Sequence, residues 1–114
     1  RMEQVVSRLE SDGLTPKPFV EYGQEAGLPE KELHELRYYL IYQNKAYELN
    51  DKHLISVMNV TVSVRALKKK YPQELELGQV KDELEVSRKY LIPYMELLDS
   101  LGITQRMDTK RYWA

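Results

Sequence analysis

Residues 86–98 read VSRKYLIPYMELL, and the start of this stretch carries the most pointed chemistry in the chain. Ser87 is a helix-capping residue type, and apolar side chains follow it at helical spacing. Arg88 and Lys89 then fall in the first turn, where the helix dipole makes each exposed cation unfavourable by about 0.3–1 kcal/mol. A bound anion reverses that cost: the N–H groups of a helix start donate to phosphate oxygens, and cations beside them add charge-assisted hydrogen bonds. A second basic group follows near the last residues, where Arg106, Lys110 and Arg111 surround a single acid, Asp108. Tyr90 and Tyr112 adjoin the two groups and offer ring faces to an unpaired base. The chemistry implied is binding of a polyanion, with phosphates held by cations and a base held by stacking.

Plainer readings stand beside this one. Two cations at a helix start also occur on ordinary surfaces, and Glu83 or Glu85 is near enough in sequence to neutralise them. Lys68-Lys69-Lys70 reads as a solvated helix end, where cations suit the dipole. His34 and His53 are isolated, and the tyrosines Tyr38, Tyr39 and Tyr42 read as packing on a helix that must bury a face. No Gly-rich phosphate loop, metal-spaced ligand set or nucleophile with a base is present. No catalytic residue, metal site or cofactor is therefore expected, and the chain is not read as an enzyme.

Composition bounds the rest. The 114 residues are 42% hydrophobic, which supports a packed core. No apolar run approaches the roughly 20 residues of a membrane span, and no signal segment opens the chain. Cysteine is absent, which excludes disulfides and fits a cytoplasmic location. The opening residue is Arg1 rather than methionine, as expected of a piece of a longer protein. The net charge of −1 gives no global argument for nucleic acid. The halves differ, however: residues 1–57 hold seven Lys/Arg against ten Asp/Glu, and residues 58–114 hold ten against eight. A polyanion site belongs in the second half.

The elements that would position these residues come in two copies. Laid against itself, the sequence brings Met2, Val6 and Leu9 onto Val60, Val64 and Leu67. Phe19, Tyr22, Ala26 and Leu28 fall on Leu77, Val80, Leu84 and Val86, and Leu33, Leu36 and Leu40 fall on Leu91, Tyr94 and Leu98. Two modules are expected, residues 1–55 and 56–114, joined closely because no low-complexity linker separates them. In the first, helices run from Met2 to Asp12-Gly13, from Pro16 to Ala26 and from Pro29 to about Asn44. Short strands follow at residues 45–49 and 53–55, around a two-residue turn at Asn50-Asp51. In the second, residues 55–66 are rich in Val and Thr, yet Val57, Val60, Val64, Leu67 and Tyr71 keep helical spacing, so a helix is expected. Residues 75–77 read as a short strand, 78–85 and 87–101 as helices, the latter with Pro93 inside, and 103–107 and 110–113 as a terminal hairpin. Three helices and a hairpin make a winged helix-turn-helix. The fold class is mostly α with small β-hairpins (α+β), as two tandem winged helices.

The copies share a frame and differ on the surface. At the start of the third helix, copy one has Pro29-Glu30-Lys31-Glu32, where the acids suit the dipole; copy two has Ser87-Arg88-Lys89-Tyr90. With two-residue turns, Glu48 faces His53 in copy one, while Arg106 faces Arg111 in copy two, a repulsive pair. Alternation places both arginines away from Ile103 and Met107, toward solvent or a ligand.

Ser87-Arg88-Lys89-Tyr90-Leu91-Ile92-Pro93, then Leu97-Leu98-Asp99, then Thr104-Gln105-Arg106, resembles the last winged-helix module of bacterial SelB, the selenocysteine-specific elongation factor. The likeness is sharp over residues 86–111 and one of layout elsewhere. It implies a module that grips the selenocysteine insertion element (SECIS), an mRNA hairpin beside the UGA codon. The positions matching the family's RNA-binding residues are Ser87, Arg88, Lys89 and Tyr90 in the helix and Gln105, Arg106 and Arg111 in the wing; Lys110 and Tyr112 join them from the residue-level reading. The family's wing carries Gly-Asp where this chain has Asp108-Thr109. The resemblance also implies a GTPase part outside this chain, through which the ribosome would be met. The expectation is a monomeric tandem winged helix, with the second module binding an mRNA hairpin and the first as spacer. The alternatives are a DNA-binding transcriptional regulator and a protein-interaction adaptor.

Overall fold

Each helix of the first half ends at a residue that cannot easily continue it. A computed structural model describes residues Arg1–Ala114. Helix α1 (Met2–Ser11) stops at Asp12, and Gly13 follows with φ of +62°. Helix α2 (Phe19–Ala26) begins later than Pro16, because Lys17 precedes a proline and is pushed out of the helical region. The connection is fixed by the Tyr22 hydroxyl, which accepts from the Lys17 backbone N–H at 2.9 Å and donates to the Asp12 carboxylate. Gly23 lies so close to the next helix that a Cβ there would stand 2.5 Å from Leu33 Cδ2. Helix α3 (Glu30–Tyr42) opens with Glu30 and Glu32 in its first turn and ends before Asn44, whose φ is +56°. Val5, Leu9, Phe19, Tyr22, Leu33, Leu36 and Leu40 close the core of these three helices.

Strands β1 (Ala46–Glu48) and β2 (Leu54–Ser56) pair antiparallel, with Glu48 opposite Leu54. The expected Asn50-Asp51 two-residue turn is therefore a longer loop, residues 49–53. Asn50 is the reason: its Oδ1 accepts from the backbone N–H groups of Lys52 and His53, both at 3.0 Å, a local turn that competes with a tight hairpin. Glu48 does not face His53; it pairs with Arg37 at 3.3 Å.

Helix α4 (Val57–Lys70) confirms the helical reading of the Val/Thr-rich stretch, with Ile55 and Ser56 left in β2. The chain forms two compact units, Arg1–Val60 and Thr61–Ala114, and α4 runs through the boundary between them. In the second unit, β3 (Glu74–Leu75) precedes α5 (Leu77–Leu84), α6 (Arg88–Ser100), β4 (Thr104–Met107) and β5 (Lys110–Trp113). The sheet order is β3-β5-β4, all antiparallel. Leu67, Leu75, Val80, Leu91, Tyr94, Met95 and Leu98 are fully buried. Trp113 donates from Nε1 to the Tyr71 carbonyl at 2.7 Å, which fastens the last strand to the end of α4.

The tyrosines of α3 correct the packing expectation. Tyr38, Tyr39 and Tyr42 are 65%, 54% and 83% exposed, because Leu33, Leu36 and Leu40 supply the whole buried seam. The buried tyrosines are Tyr22 and Tyr94. Burial pushes the Tyr94 hydroxyl up to about 12, against the opposing effect of its hydrogen bond to Ser63 at 2.6 Å. Burial, then the Asp12 hydrogen bond, raises Tyr22 further still. A raised folded-state value means the folded protein holds the proton that the unfolded chain releases. Stability should thus be level below the ordinary tyrosine value of 10.0 and fall as pH rises beyond it. The slope approaches about 1.4 kcal/mol per pH unit for each such tyrosine. Urea melts between pH 9 and about 11 check this, and Tyr94→Phe should remove its share of the slope.

Candidate nucleic-acid interface

The start of α6 is built by three residues with different tasks. Glu85, with φ of +52°, ends α5 and turns the chain. Val86 is buried and anchors the connection. Ser87 is extended and hands the chain into the helix; its carbonyl accepts from the N–H groups of Tyr90 at 3.0 Å and Leu91 at 2.9 Å. Its hydroxyl forms no capping bond, contrary to expectation, so the amides of Arg88 and Lys89 open the helix without a side-chain cap. No acid lies in this first turn, whereas α3 has two. Arg88 and Lys89 are exposed and form no ion pair. Glu83, a possible neutraliser, is engaged by Lys70 at 2.8 Å. The Lys89 ammonium lies 5.4 Å from the centre of the Tyr90 ring, a cation–π contact that keeps the two side chains together.

The wing keeps the expected register. Arg106 faces Arg111, Met107 faces Lys110, and Asp108-Thr109 form the turn, with Asp108 at φ of +59°. The faces differ from expectation. Met107 is 58% exposed, while Arg111 is only 8% exposed. Arg111 Nε donates to both Asp99 carboxylate oxygens, at 3.0 and 3.1 Å, and its Nη2 lies 3.0 Å from Oδ2. Thr104 Oγ1 donates to the same carboxylate at 2.7 Å. Arg111 therefore holds the wing to the last turns of α6 and does not face outward. Its charge is matched, so its repulsion of Arg106 is weak. Alternation counted from Met107 failed because Met107 sits at the tip, beyond the core. The missed residue is Asp99, an acid facing Thr104 and Arg111 across the helix end.

The other wing residues separate by their partners. Arg106 is exposed and its Nε donates to the Asp108 carbonyl at 3.2 Å, bracing the tip. Lys110 is held by Glu74 at 3.1 Å and Glu76 at 3.8 Å. The Glu74 hydrogen bond, then the charges of the two acids, raise its pKa above the ordinary lysine value. Gln105 and Tyr112 face each other across β4 and β5, both exposed. Of the nine candidates, the structure leaves Ser87, Arg88, Lys89, Gln105, Arg106 and Tyr112 open to solvent, half-buries Tyr90, commits Lys110 to acids and buries Arg111. The helix start and the wing anchor stand at opposite ends of α6, about 16 Å apart between Arg88 and Asp99 along the axis. Among the described residues no group of His, Cys, Asp and Glu is arranged to hold a metal. No helix is long and apolar enough to cross a membrane.

Known proteins resemble the chain in the sequence of its second half and in fold along its length. Residues 65–113 match the family described as elongation factor SelB, winged helix. The chain superposes over 99% of its length on a bacterial selenocysteine-specific elongation factor, EF-Sec, with a TM-score of 0.83 and 28% identity. It spans 18% of that protein. It also superposes over 98% of its length on the mRNA-binding domain of elongation factor SelB from E. coli, solved in complex with SECIS RNA. There the TM-score is 0.75, the identity 17%, and 95% of the domain is covered. No curated protein sequence matches the chain. Residues 65–113 are thus similar in sequence to the SelB winged helix, and the chain as a whole shares the fold of the two SelB structures.

Proposed function

We propose that the second unit binds an mRNA hairpin, the selenocysteine insertion element, and so directs a selenocysteine-specific elongation factor to its UGA codon. The observation that carries this reading is the start of α6: two exposed, unpaired cations on an uncapped helix end, in a fold shared with a domain solved on SECIS RNA. Arg88, Lys89 and the first amides of α6 hold backbone phosphate. Ser87 contributes its hydroxyl to the same anion. Tyr90 stacks on an unpaired loop base, and Tyr112 does so beside the wing. Arg106 and Gln105 meet the hairpin from the wing. Lys110 joins only when phosphate replaces Glu74 and Glu76, and Arg111 positions the wing rather than touching RNA. A-form RNA has a major groove too narrow for a helix, so contact through a helix end and a wing suits it better than insertion of α6. The first unit is a spacer toward the rest of the factor, and one copy serves one hairpin. The ribosome is reached through the longer factor, in the cytoplasm.

The test is fluorescence anisotropy with a labelled RNA hairpin and a DNA duplex of the same stem sequence. Binding should favour the hairpin. Three unpaired cations, Arg88, Lys89 and Arg106, imply a log–log salt slope of about −2 to −3. Equal affinity for the DNA duplex removes the RNA reading in favour of a DNA-binding regulator. Absence of salt-sensitive binding to either favours a protein adaptor.

A further inference from the structure

The first unit carries a surface unlike the basic one on the second. A groove of about 530 Å³ runs between α1 and α3, floored by Met2, Val6, Leu36, Tyr39 and Leu40. It continues past Val6 and Leu40 into a second hollow of about 320 Å³ that reaches Met58. Three apolar side chains along it, Met2, Tyr39 and Met58, are 42%, 54% and 54% exposed. Glu3, Glu10 and Glu35 stand on its rim against one cation, Lys45. None of the three carboxylates has an ion-pair partner. The unit containing it holds seven Lys/Arg against ten Asp/Glu, a balance of −3.

We infer that this groove docks a cationic amphipathic helix from a protein partner. An apolar floor between two helices takes the apolar face of a third, the helix-in-groove mode. The exposed methionines are flexible and polarisable, which suits a surface that must adapt to a side-chain row. The carboxylate rim selects the partner's sign: three unmatched acids attract lysine and arginine flanking the apolar row. The same acids disfavour nucleic acid, whose binding energy comes largely from neutralised phosphates. The inference is independent of the RNA reading, because every residue in it belongs to the first unit.

The experiment uses the 114-residue chain and a fluorescein-labelled peptide of about 14 residues, leucine and lysine arranged so that one helical face is apolar. Two controls are the same residues in scrambled order and a leucine–glutamate counterpart. The amphipathic cationic peptide should saturate the chain, and both controls should bind at least about tenfold more weakly. Amide NMR shift changes should be confined to the groove, including Val6, Glu10, Leu36, Tyr39 and Lys45. Changing Glu10 and Glu35 together to lysine, at surface positions outside the core, should weaken the peptide by about tenfold and leave hairpin RNA binding unchanged. Equal binding of the scrambled peptide overturns the proposal. So do shift changes located elsewhere, response of the groove to single-stranded RNA in place of the peptide, or self-association of the chain through these residues.

Discussion

Asp99→Ala is expected to lower the unfolding free energy of the second unit by about 2–3 kcal/mol. One carboxylate there satisfies Arg111 through Nε and Nη2 and also accepts from Thr104. Removing one partner of a buried ion pair costs about 3–5 kcal/mol, because the other charge is left without compensation. The Arg111 side chain is 9% exposed but Asp99 is 27% exposed, so water reaches the site and the lower part of the range applies. Arg111→Leu should cost less than Asp99→Ala: it takes away the buried charge, and the remaining carboxylate still accepts from Thr104 and faces solvent. Asp99→Asn should fall between the parent and Asp99→Ala, since it keeps acceptors for Thr104 and one arginine nitrogen. Urea denaturation of the three variants provides the check. An Asp99→Ala melt that coincides with the parent's would show that the wing is held by something else. The variant should also bind hairpin RNA more weakly although Asp99 touches none, because Arg106 would lose its fixed platform.

Arg88→Glu should weaken hairpin binding at least tenfold, about 1.4 kcal/mol, while stability holds or rises by a few tenths of a kcal/mol. The substitution gives α6 the acidic first turn that α3 already has. The opposite change, Glu30→Arg, should cost the first unit a few tenths of a kcal/mol and leave RNA affinity within about threefold. Affinities at one salt concentration for both variants and the parent decide the matter. If Arg88→Glu leaves binding intact, the cations after Ser87 are ordinary surface charges. If Glu30→Arg tightens binding as much as Arg88→Glu weakens it, both units share one RNA surface and the spacer role fails.

Much of the fold was legible because local signals agreed with long-range ones. The helix over Val57–Lys70 could be separated from a strand because Val60, Val64 and Leu67 repeat the apolar frame of α1, which outweighs the β preference of Val and Thr. The Asp108-Thr109 turn rested on the supposition of a two-residue loop, which the structure bears out with Asp108 at φ of +59°. Misreadings arose where a single side chain outweighs a pattern. Asn50 captures two backbone N–H groups and lengthens the first hairpin's loop, which no alternation of apolar residues signals. Arg111 is buried because Asp99, distant in sequence, waits on α6; strand alternation knows nothing of it. The α3 tyrosines stay outside because three leucines already fill the seam. At the helix start the exposure of Arg88 and Lys89 followed from the local energy of charge at a helix end, whereas the Ser87 cap did not form. On the wing the register was legible, but the surroundings of Lys110 and Arg111 were not, because their partners come from other elements.

The pairing of Lys110 with Glu74 and Glu76 has a meaning for selectivity. The protein carries its own competitor for that cation. Any polyanion that reaches Lys110 exchanges one anion for another, so it releases little counterion and gains little from charge alone. A ligand draws on this lysine only if its shape also presses the two carboxylates aside. If the second unit binds RNA as proposed, the acids beside the two-residue strand β3 would set a toll on non-specific contact with Lys110, which a correctly shaped hairpin would escape.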